Sequence, residues 1–444
     1  MEYGFLCCVP ILVLMIGAVI TKKMPQMLML ASFIGSIIIF GKGFFTGWID
    51  IMYEALANGS DQYILLILVC SGAMIRLLEK SGAMLGFKNM IARLAKNEHK
   101  AMFFTWLLGV IIFIDDYLNA LAVASAMRGI TDSYKIPREH LAYTVNVGGA
   151  CVCVLIPFSS WAAFGIGTFS DYGYTFTDYV KSIPFMFYPI IALIICLLLG
   201  LGVIPKLGDM KKAYERVRSG GPVLPESDGV VEEELSTVKP SSPLNFIIPM
   251  VVLVVTMLLF DNELIHGMIA ALVAQAILYI AQKMMNLREF MDNLLEGAYS
   301  MASVCFVVVL SFMMTAVNTH LGFSDYVISI LNGVVPAVVL PLVAFLMVAL
   351  IAFATGCFWP LVVIVSPIFI PMAVSLNVNH YLVIAAMMSG IAFGSQCCMY
   401  SDAVFMTAAG TGVNNVTQIR AIAPYAIIGV AISSVLFVAA AAIL

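Results

Sequence analysis

The sequence carries very little charge for its length. Asp, Glu, Lys and Arg make up 11% of the 444 residues, whereas a soluble domain typically has about 25% charged residues. Apolar residues make up 62%, and the mean hydropathy is +1.03. Apolar runs of roughly 17–25 residues, each long enough to cross a bilayer core of about 30 Å, recur along the chain. These features exclude a water-soluble domain and predict an all-α polytopic membrane protein.

Signals of export and of metal binding are absent as well. The N-terminal stretch "MEYGFLCCVPILVLMIGAVITKKMP" lacks a basic start and a small-residue cleavage site, which predicts a retained first helix rather than a signal peptide. The ten cysteines fall in apolar segments and show no zinc-ligand spacing. We therefore expect thiols that pack as small hydrophobic side chains, and no cofactor.

About ten transmembrane helices and two interrupted apolar stretches are predicted. The stretches 101–130 and 335–373 each hold two arms; in the first, each arm has about 14–16 residues, or roughly 21–24 Å of helix, which is too short for a comfortable crossing. We predict that each stretch forms a re-entrant hairpin with broken helices. The full spans are 4–20, 27–41, 61–78, 140–166, 183–204, 245–260, 267–282, 300–318, 381–406 and 421–444.

The two halves of the chain resemble each other at a nearly constant offset. An offset of 240 residues pairs Gly82 with Gly322, and an offset of 241 pairs Ser160 with Ser401. Single identities between apolar helices arise easily by chance, but an offset held over five segments does not. The pattern indicates an internal duplication.

The polar segment 205–243 separates the two halves. It is rich in Pro, Gly, Ser and mixed charge, which is typical of a partly disordered linker. All of the 22 Lys and Arg except Lys42 and Lys181 fall on the linker's side of an alternating topology, and the positive-inside rule assigns this side to the cytoplasm. The sequence therefore predicts two inverted repeats, 1–204 and 244–444, joined by a cytoplasmic linker, with both termini outside.

Three acids lie deep inside apolar segments, namely Asp115, Asp116 and Asp402. An ionised acid at the bilayer centre costs about 2.5–3.5 kcal/mol on insertion scales, so such residues face a cavity or the interior of a bundle. Adjacent side chains of a helix point about 100° apart, so Asp115 and Asp116 can share one ligand only where the helix is broken. We predict that they lie at the tip of the first hairpin, with Asn119 close enough to add an amide oxygen or a donor.

Other polar side chains occur at the breaks in the apolar helices. Hydroxyl, amide and freed carbonyl oxygens suit hard cations, and a transporter with inverted repeats has its site where broken helices meet. The further candidate binding residues are Asn146, Ser159, Ser160, Thr355, Gly356, Gln396 and Ser401. The candidates for a gate or a substrate contact are Tyr117, Trp161 and Trp359.

Each of these residues also has a purely structural interpretation. One acid of the pair would suffice as the N-cap of the following helix, with Asn119 as a packing contact. A single Ser or Thr commonly donates to a carbonyl one turn away, and a Trp beside a break packs as readily as it gates. The clustering at repeat-related positions favours the functional interpretation.

Two segments resemble a known family. The run "FIDDYLNALAVASAMRGITDSYKIPREHLAY", followed by "CVLIPFSSWAAFGIG", resembles the first-half signature of the NhaC-type sodium/proton antiporter family, within the ion transporter superfamily. Residues 389–405 are similar to its second-half signature, with Ser395 where that pattern has an acid. The resemblance spans nearly the whole chain and implies inverted repeats with two hairpins, alternating access by an elevator-like movement, and frequently a homodimer.

The predicted function is secondary active transport, first of all Na⁺/H⁺ antiport with Na⁺ bound at Asp115 and Asp116. Two close carboxylates cannot both ionise cheaply, so Na⁺ and H⁺ would compete for the pair. Na⁺- or H⁺-coupled transport of a small organic acid or amino acid on the same fold is the alternative, because Ser395 and the aromatic residues of the second hairpin suit an organic substrate. A membrane prenyltransferase would need a second Asp-rich segment, and only Asp402 is available.

The expected surroundings follow from the same features. We expect a prokaryotic cytoplasmic (inner) membrane, with lipids and a small ion or molecule as partners and no nucleic acid. Na⁺ or H⁺ would be the coupling ions, and no enzymatic activity is expected.

Overall fold

The computed structural model describes residues 3–21, 24–57, 59–92, 97–113, 116–225, 239–260, 264–323, 326, 336–355, 358–399 and 401–444. The described residues are 84% helical and include no β-strand. Helices suit these apolar runs because a helix satisfies its backbone hydrogen bonds internally, which a lipid environment requires. The predicted all-α class with broken helices is confirmed.

The described α-helices fall into two series, one before and one after the polar segment 226–238. The first series is α1 (Val9–Thr21), α2 (Met24–Phe40), α3 (Phe44–Ala57), α4 (Gly59–Lys80), α5 (Ala83–Ala92), α6 (Glu98–Ile111), α7 (Asp116–Ser133), α8 (Arg138–Leu155), α9 (Ser160–Ser170), α10 (Phe176–Ser182), α11 (Phe187–Gly200) and α12 (Gly208–Arg218). The second series is α13 (Leu244–Leu259), α14 (Leu264–Ala281), α15 (Leu287–Ser300), α16 (Ala302–His320), α17 (Leu340–Thr355), α18 (Trp359–Ser375), α19 (His380–Cys397), α20 (Asp402–Thr411) and α21 (Asn415–Ile443).

Each half contains a long helix that breaks and continues as a shorter one. α8 and α9 are separated by residues 156–159, and α19 and α20 by residues 398–401. Ser159 and Ser401 are the N-caps of the two shorter helices, and they lie 242 residues apart. The breaks therefore pair Ser159 with Ser401, one residue away from the pairing that identities in the sequence suggest.

The two broken helices run in opposite directions. At the linker's end of the bundle, Arg138 at the start of α8 donates to the carbonyl of Thr411, the last residue of α20, at 3.3 Å. At the other end, Tyr381 in the first turn of α19 donates to Asp178 of α10 at 3.1 Å. The breaks consequently meet in the middle, where α8 and α19 pack against each other.

The first interrupted stretch turns back on itself. Asn119 of α7 donates to the carbonyl of Gly109 of α6 at 2.6 Å, although a straight helix would hold residues ten positions apart at about 15 Å. α6 and α7 therefore form a hairpin. The arms of the second interrupted stretch, α17 and α18, both pack against α19.

By length and hydropathy, three helical stretches of the described chain could each cross a membrane, namely Pro25–Ala57, Arg138–Ser170 and Asn415–Ile443. A fourth candidate is the pair Phe176–Phe185 and Phe187–Gly200, bent by 53°. Several other apolar helices are shorter, as expected for broken spans. The total of about ten spans stays a prediction.

The first part of the polar linker is ordered and attached to α8. Arg216 of α12 donates to both carboxylate oxygens of Glu139, at 2.8 and 3.0 Å. The backbone N–H of Arg138 donates to the carbonyl of Val223 at 3.0 Å. Of the segment predicted as partly disordered, residues 208–218 are helical, and residues 226–238 lie outside the described residues.

A buried aromatic contact completes this attachment. The hydroxyl of Tyr214 on α12 lies 2.7 Å from Nδ1 of His140 on α8, and the Lys206 ammonium lies 4.2 Å from the centre of the Tyr214 ring. Burial raises the pKa of the Tyr214 hydroxyl, so this hydroxyl keeps its proton at any physiological pH. We call the contacts of α12 with the first turn of α8 the linker clamp.

Candidate ion and substrate site

Asp116 occupies the first position of α7 and is buried against α8. Its side chain is 2% exposed, and its backbone oxygen would lie 3.2 Å from a Cβ added to Gly149, which is a tight contact. The absence of a side chain at Gly149 therefore lets the start of α7 approach the middle of α8. A carboxylate in this position is withdrawn from water yet close to the broken helices, as the sequence predicts for an ion-binding acid.

Asn119 lies one turn beyond Asp116 and joins the two arms of the hairpin. Its amide nitrogen donates to the carbonyls of Gly109 at 2.6 Å and Ile112 at 2.8 Å. Gly109 is in the last turn of α6 and Ile112 is its C-cap residue, so neither carbonyl has a helical partner. Asn119 is fully buried, and its oxygen has no hydrogen-bond partner within the described chain. The amide nitrogen thus has a structural role, and the oxygen is available as a ligand.

Replacing Asn119 with leucine is expected to destabilise the protein, because two buried carbonyls would lose their donor at a cost of about 1–3 kcal/mol each. The unfolding temperature in detergent should fall by several degrees. Asn415→Leu is the matched control, since Asn415 also donates to a carbonyl at a helix break, that of Met399, but in an exposed position. Equal effects of the two substitutions would contradict the assigned role of Asn119.

Asn146 is the most unusual polar residue of α8. It is 1% exposed, and among the described residues neither its oxygen nor its nitrogen has a hydrogen-bond partner. Asn146 precedes Gly149 by three residues, so it lies on the helix face that meets the start of α7. A buried amide without partners is costly, and a bound ligand is one way in which such a group becomes satisfied.

The second half contributes Ser401 and Gln396 near the other break. Ser401 is fully buried and is the N-cap of α20, but its hydroxyl makes no cap hydrogen bond. Within the described part it has no other partner either. Ser159, its counterpart, differs: its hydroxyl accepts from the N–H of Ala162 at 3.0 Å and donates to the carbonyl of Cys153. Ser159 therefore caps α9, whereas the Ser401 hydroxyl is uncommitted.

Gln396 is held by residues that the sequence did not point to. The hydroxyl of Tyr188 on α11 donates to its side-chain oxygen at 2.6 Å, and the Cys151 thiol of α8 lies 3.9 Å from the same oxygen. A signal for Tyr188 was present, because a hydroxyl inside an apolar run such as "FYPIIALIICLLLG" needs a buried partner. The sequence does not identify that partner, because Tyr188 and Gln396 are distant in sequence.

Aromatic residues meet where α9 and α18 begin. The rings of Trp161 and Phe358 have centroids 5.8 Å apart and are tilted by 33°, and both side chains are buried. Ser160 is buried next to Trp161. Phe358 is one of the aromatic residues of the second interrupted stretch that the sequence connects with an organic substrate. The contact connects the break between α8 and α9 to the start of α18.

The four helices that begin near the middle therefore form two unlike pairs. α7 and α20 pack together and run toward the linker's end, and their first residues are Asp116 and Asp402. α9 and α18 pack together and run the other way, beginning beside Trp161 and Phe358. The positive partial charge of a helix N-terminus stabilises an ionised acid in its first turn. One pair of helix starts is thus acidic and the other is aromatic.

Several predicted site residues are described only in part. Asp115 and Gly356 lie outside the described residues. For the candidates Tyr117, Thr355, Trp359 and Asp402 the backbone position is described and the side chain is not. Within the described residues, no three His, Cys, Asp or Glu side chains form a group that could hold a metal ion.

Comparison with known proteins identifies a family, a relative and similar solved structures. The model of the Na⁺/H⁺ antiporter family matches residues 179–442. An uncharacterized protein of Haemophilus influenzae is 25% identical over 461 residues, which cover 94% of this chain and 87% of that protein.

The two structures share the fold at low sequence identity. The YdaH transporter of Alcanivorax borkumensis, described as having an unusual topology, superposes with a TM-score of 0.63 at 12% identity, covering 90% of this chain and 89% of that one. MtrF of Neisseria gonorrhoeae, described with a class of antimetabolite efflux pumps, gives a TM-score of 0.50 at 13% identity over 89% and 83% of the two chains. At these identities the likeness concerns the fold alone.

Proposed function

The chain belongs to the Na⁺/H⁺ antiporter family and is a secondary transporter rather than an enzyme, and we propose that it exchanges Na⁺ for H⁺ at a site around Asp116. The observation that carries this proposal is a 2% exposed acid at the start of a half-helix that packs on α8, the helix that carries the unpartnered amide of Asn146. Carboxylate, amide and hydroxyl oxygens are the ligands that hard cations prefer.

The ligand set would come from both halves. Asp116 and the oxygen of Asn119 belong to the first hairpin, and Asn146 belongs to α8. Ser401 precedes α20, which packs on α7. Since each of these helices contacts another in the set, a relative movement of the halves would change the geometry around a bound ion.

Exchange follows from competition at one acid. A carboxylate can hold Na⁺ or a proton, and its desolvated position makes an empty ionised state unfavourable. The transporter would then change between its outward-facing and inward-facing states only with Na⁺ or a proton bound at this site. Asp115, the residue before Asp116, would add a second acid and strengthen the competition between Na⁺ and H⁺.

The orientation and assembly are also proposals. The distribution of Lys and Arg supports a cytoplasmic linker and external termini in a prokaryotic cytoplasmic membrane. The homodimer expected from the sequence resemblance stays a proposal of the same kind.

The experiment is exchange in proteoliposomes that contain a trapped pH dye. We expect an imposed Na⁺ gradient to move protons in the opposite direction, with saturation at high Na⁺, and a K⁺ gradient of equal size to move none. A pH gradient should drive ²²Na⁺ flux in return. The proposal would be overturned if folded protein showed neither Na⁺-driven proton movement nor pH-driven ²²Na⁺ flux.

Coupled transport of a small organic acid or amino acid is the second candidate. The Trp161–Phe358 contact favours it, because a pair of buried rings beside a helix break can contact an organic substrate and offers no ligand to a bare ion. A rise in unfolding temperature with a small metabolite, dependent on Na⁺, would support this candidate.

A further inference from the structure

The side-chain amide of Gln396 is oriented by two hydrogen-bond donors. The hydroxyl of Tyr188 lies 2.6 Å from the Gln396 oxygen, and the thiol of Cys151 lies 3.9 Å from it. Both neighbours can donate a hydrogen, and only the oxygen end of the amide can accept one. The oxygen therefore faces Tyr188 and Cys151, and the nitrogen points away from them.

The nitrogen end is buried and has no hydrogen-bond partner. Gln396 has no exposed surface, and its Nε2 has no hydrogen-bond acceptor within the described chain. Leaving a buried amide N–H₂ without an acceptor costs about 1–3 kcal/mol. Gln396 lies two residues before the break at 398–401, in the last turn of α19.

The Nε2 group of Gln396 cannot act as a ligand for a bare cation. Na⁺ is bound by oxygen ligands, and an N–H₂ group can only donate. The acceptors that fit a buried neutral donor are ligand oxygens, of which carboxylate oxygens are the strongest because the bond is charge-assisted. The uncommitted hydroxyl of Ser401, which can also donate, lies at the same break.

We infer that Gln396 binds an oxygen of a carboxylate ligand through Nε2 and that Tyr188 is the positioning residue that turns this nitrogen toward the ligand. Na⁺ bound at Asp116 then drives transport of the carboxylate, which is the second candidate function rather than Na⁺/H⁺ exchange. The inference rests on the proposed function, since it takes Asp116 as the cation site, and it names the substrate class and the residue that recognises it.

The test uses full-length protein in detergent and three variants. Gln396→Glu keeps an acceptor oxygen for Tyr188 and replaces the ligand-facing donor with an acceptor. Tyr188→Phe leaves the ring and removes the group that orients the amide. Tyr179→Phe is the matched control, because Tyr179 is another buried tyrosine whose hydroxyl donates one hydrogen bond, to the carbonyl of Val154 at 2.7 Å.

The measurement is the unfolding temperature during titration with Na⁺ alone and then with acetate, L-lactate, succinate and L-glutamate in Na⁺. We expect at least one carboxylate to stabilise the wild type, and its half-maximal concentration to rise about tenfold or more in Gln396→Glu and in Tyr188→Phe, as loss of a buried hydrogen bond implies. The half-maximal Na⁺ concentration should be unchanged in both. Tyr179→Phe should lower stability without changing either concentration.

Three results would overturn the inference: no carboxylate stabilises the wild type, Gln396→Glu binds the carboxylate as the wild type does, or Tyr179→Phe weakens binding as much as Tyr188→Phe. Where Gln396→Glu does not fold, the comparison of Tyr188→Phe with Tyr179→Phe decides. Na⁺-driven proton exchange that depends on Asp116, in a protein indifferent to carboxylates, would leave the proposed exchange standing and remove this inference alone.

Discussion

Replacement of Asp116 with asparagine is expected to abolish Na⁺-driven proton movement. Asparagine keeps the shape of the side chain and removes the charge that balances the cation. Two unit charges 4 Å apart interact by about 4 kcal/mol at an effective dielectric constant of 20, which corresponds to roughly a thousandfold in Na⁺ affinity. The variant should also lose the rise in unfolding temperature that Na⁺ produces in the wild type.

Asp132→Asn is the control for this substitution. Asp132 lies on the same helix, α7, but near its other end, where it accepts from Arg138 at 2.8 Å. Its loss should lower stability slightly and leave the Na⁺ dependence of exchange unchanged. Exchange by Asp116→Asn at the wild-type rate and Na⁺ dependence would show that the cation binds elsewhere, and Asp402→Asn would then be the next variant.

Alanine at Gly148 is expected to reduce both stability and transport. The added Cβ would lie 3.0 Å from the Cα of Gly109 and 3.3 Å from the oxygen of Asn119. The first neighbour is backbone and cannot rotate away, so α8 must separate from the first hairpin arm. Overpacking of this kind costs about 1–3 kcal/mol, and the displacement reaches Asp116 through the Asn119 contact.

The matched control is Gly129→Ala on α7. A Cβ added to Gly129 has no atom within 4 Å, and alanine in a helix interior is favoured over glycine by roughly 0.5–1 kcal/mol. The control should therefore unfold at the same or a higher temperature and transport normally. An unfolding temperature for Gly148→Ala equal to that of the control would contradict the close helix crossing.

The sequence predicted the helix boundaries better than the contacts between helices. The break at 156–159 was predictable because Pro157 interrupts an apolar run. The break at 398–401 was not predicted, since the predicted span 381–406 runs through it. Asp116 was predictable as buried because a charge in such a run has few stable positions. These features depend on residues that are close in the chain, and the sequence shows those residues directly.

The partners of these residues depend on how the helices pack, and the sequence does not display that. The orientation of Gln396 is set by Tyr188, 208 positions away. The hydrogen bond from Asn119 to the carbonyl of Gly109 depends on a reversal of the chain. The amino-acid composition does not determine the geometry of that reversal. For the same reason the role of Gly148 could not be separated from that of any other small residue in a membrane helix.

The linker clamp has a mechanical consequence. The carboxylate of Glu139 and the Arg216 guanidinium form a two-pronged ion pair, and α8, whose first turn carries Glu139, also carries Asn146 and the glycines behind Asp116. Any tilt or translation of α8 during transport must therefore carry α12 with it or break this pair. α12 is therefore coupled to any movement of α8. A molecule that binds the solvent-facing side of α12 would slow transport, or favour one orientation of the transporter, without contacting the bound ion.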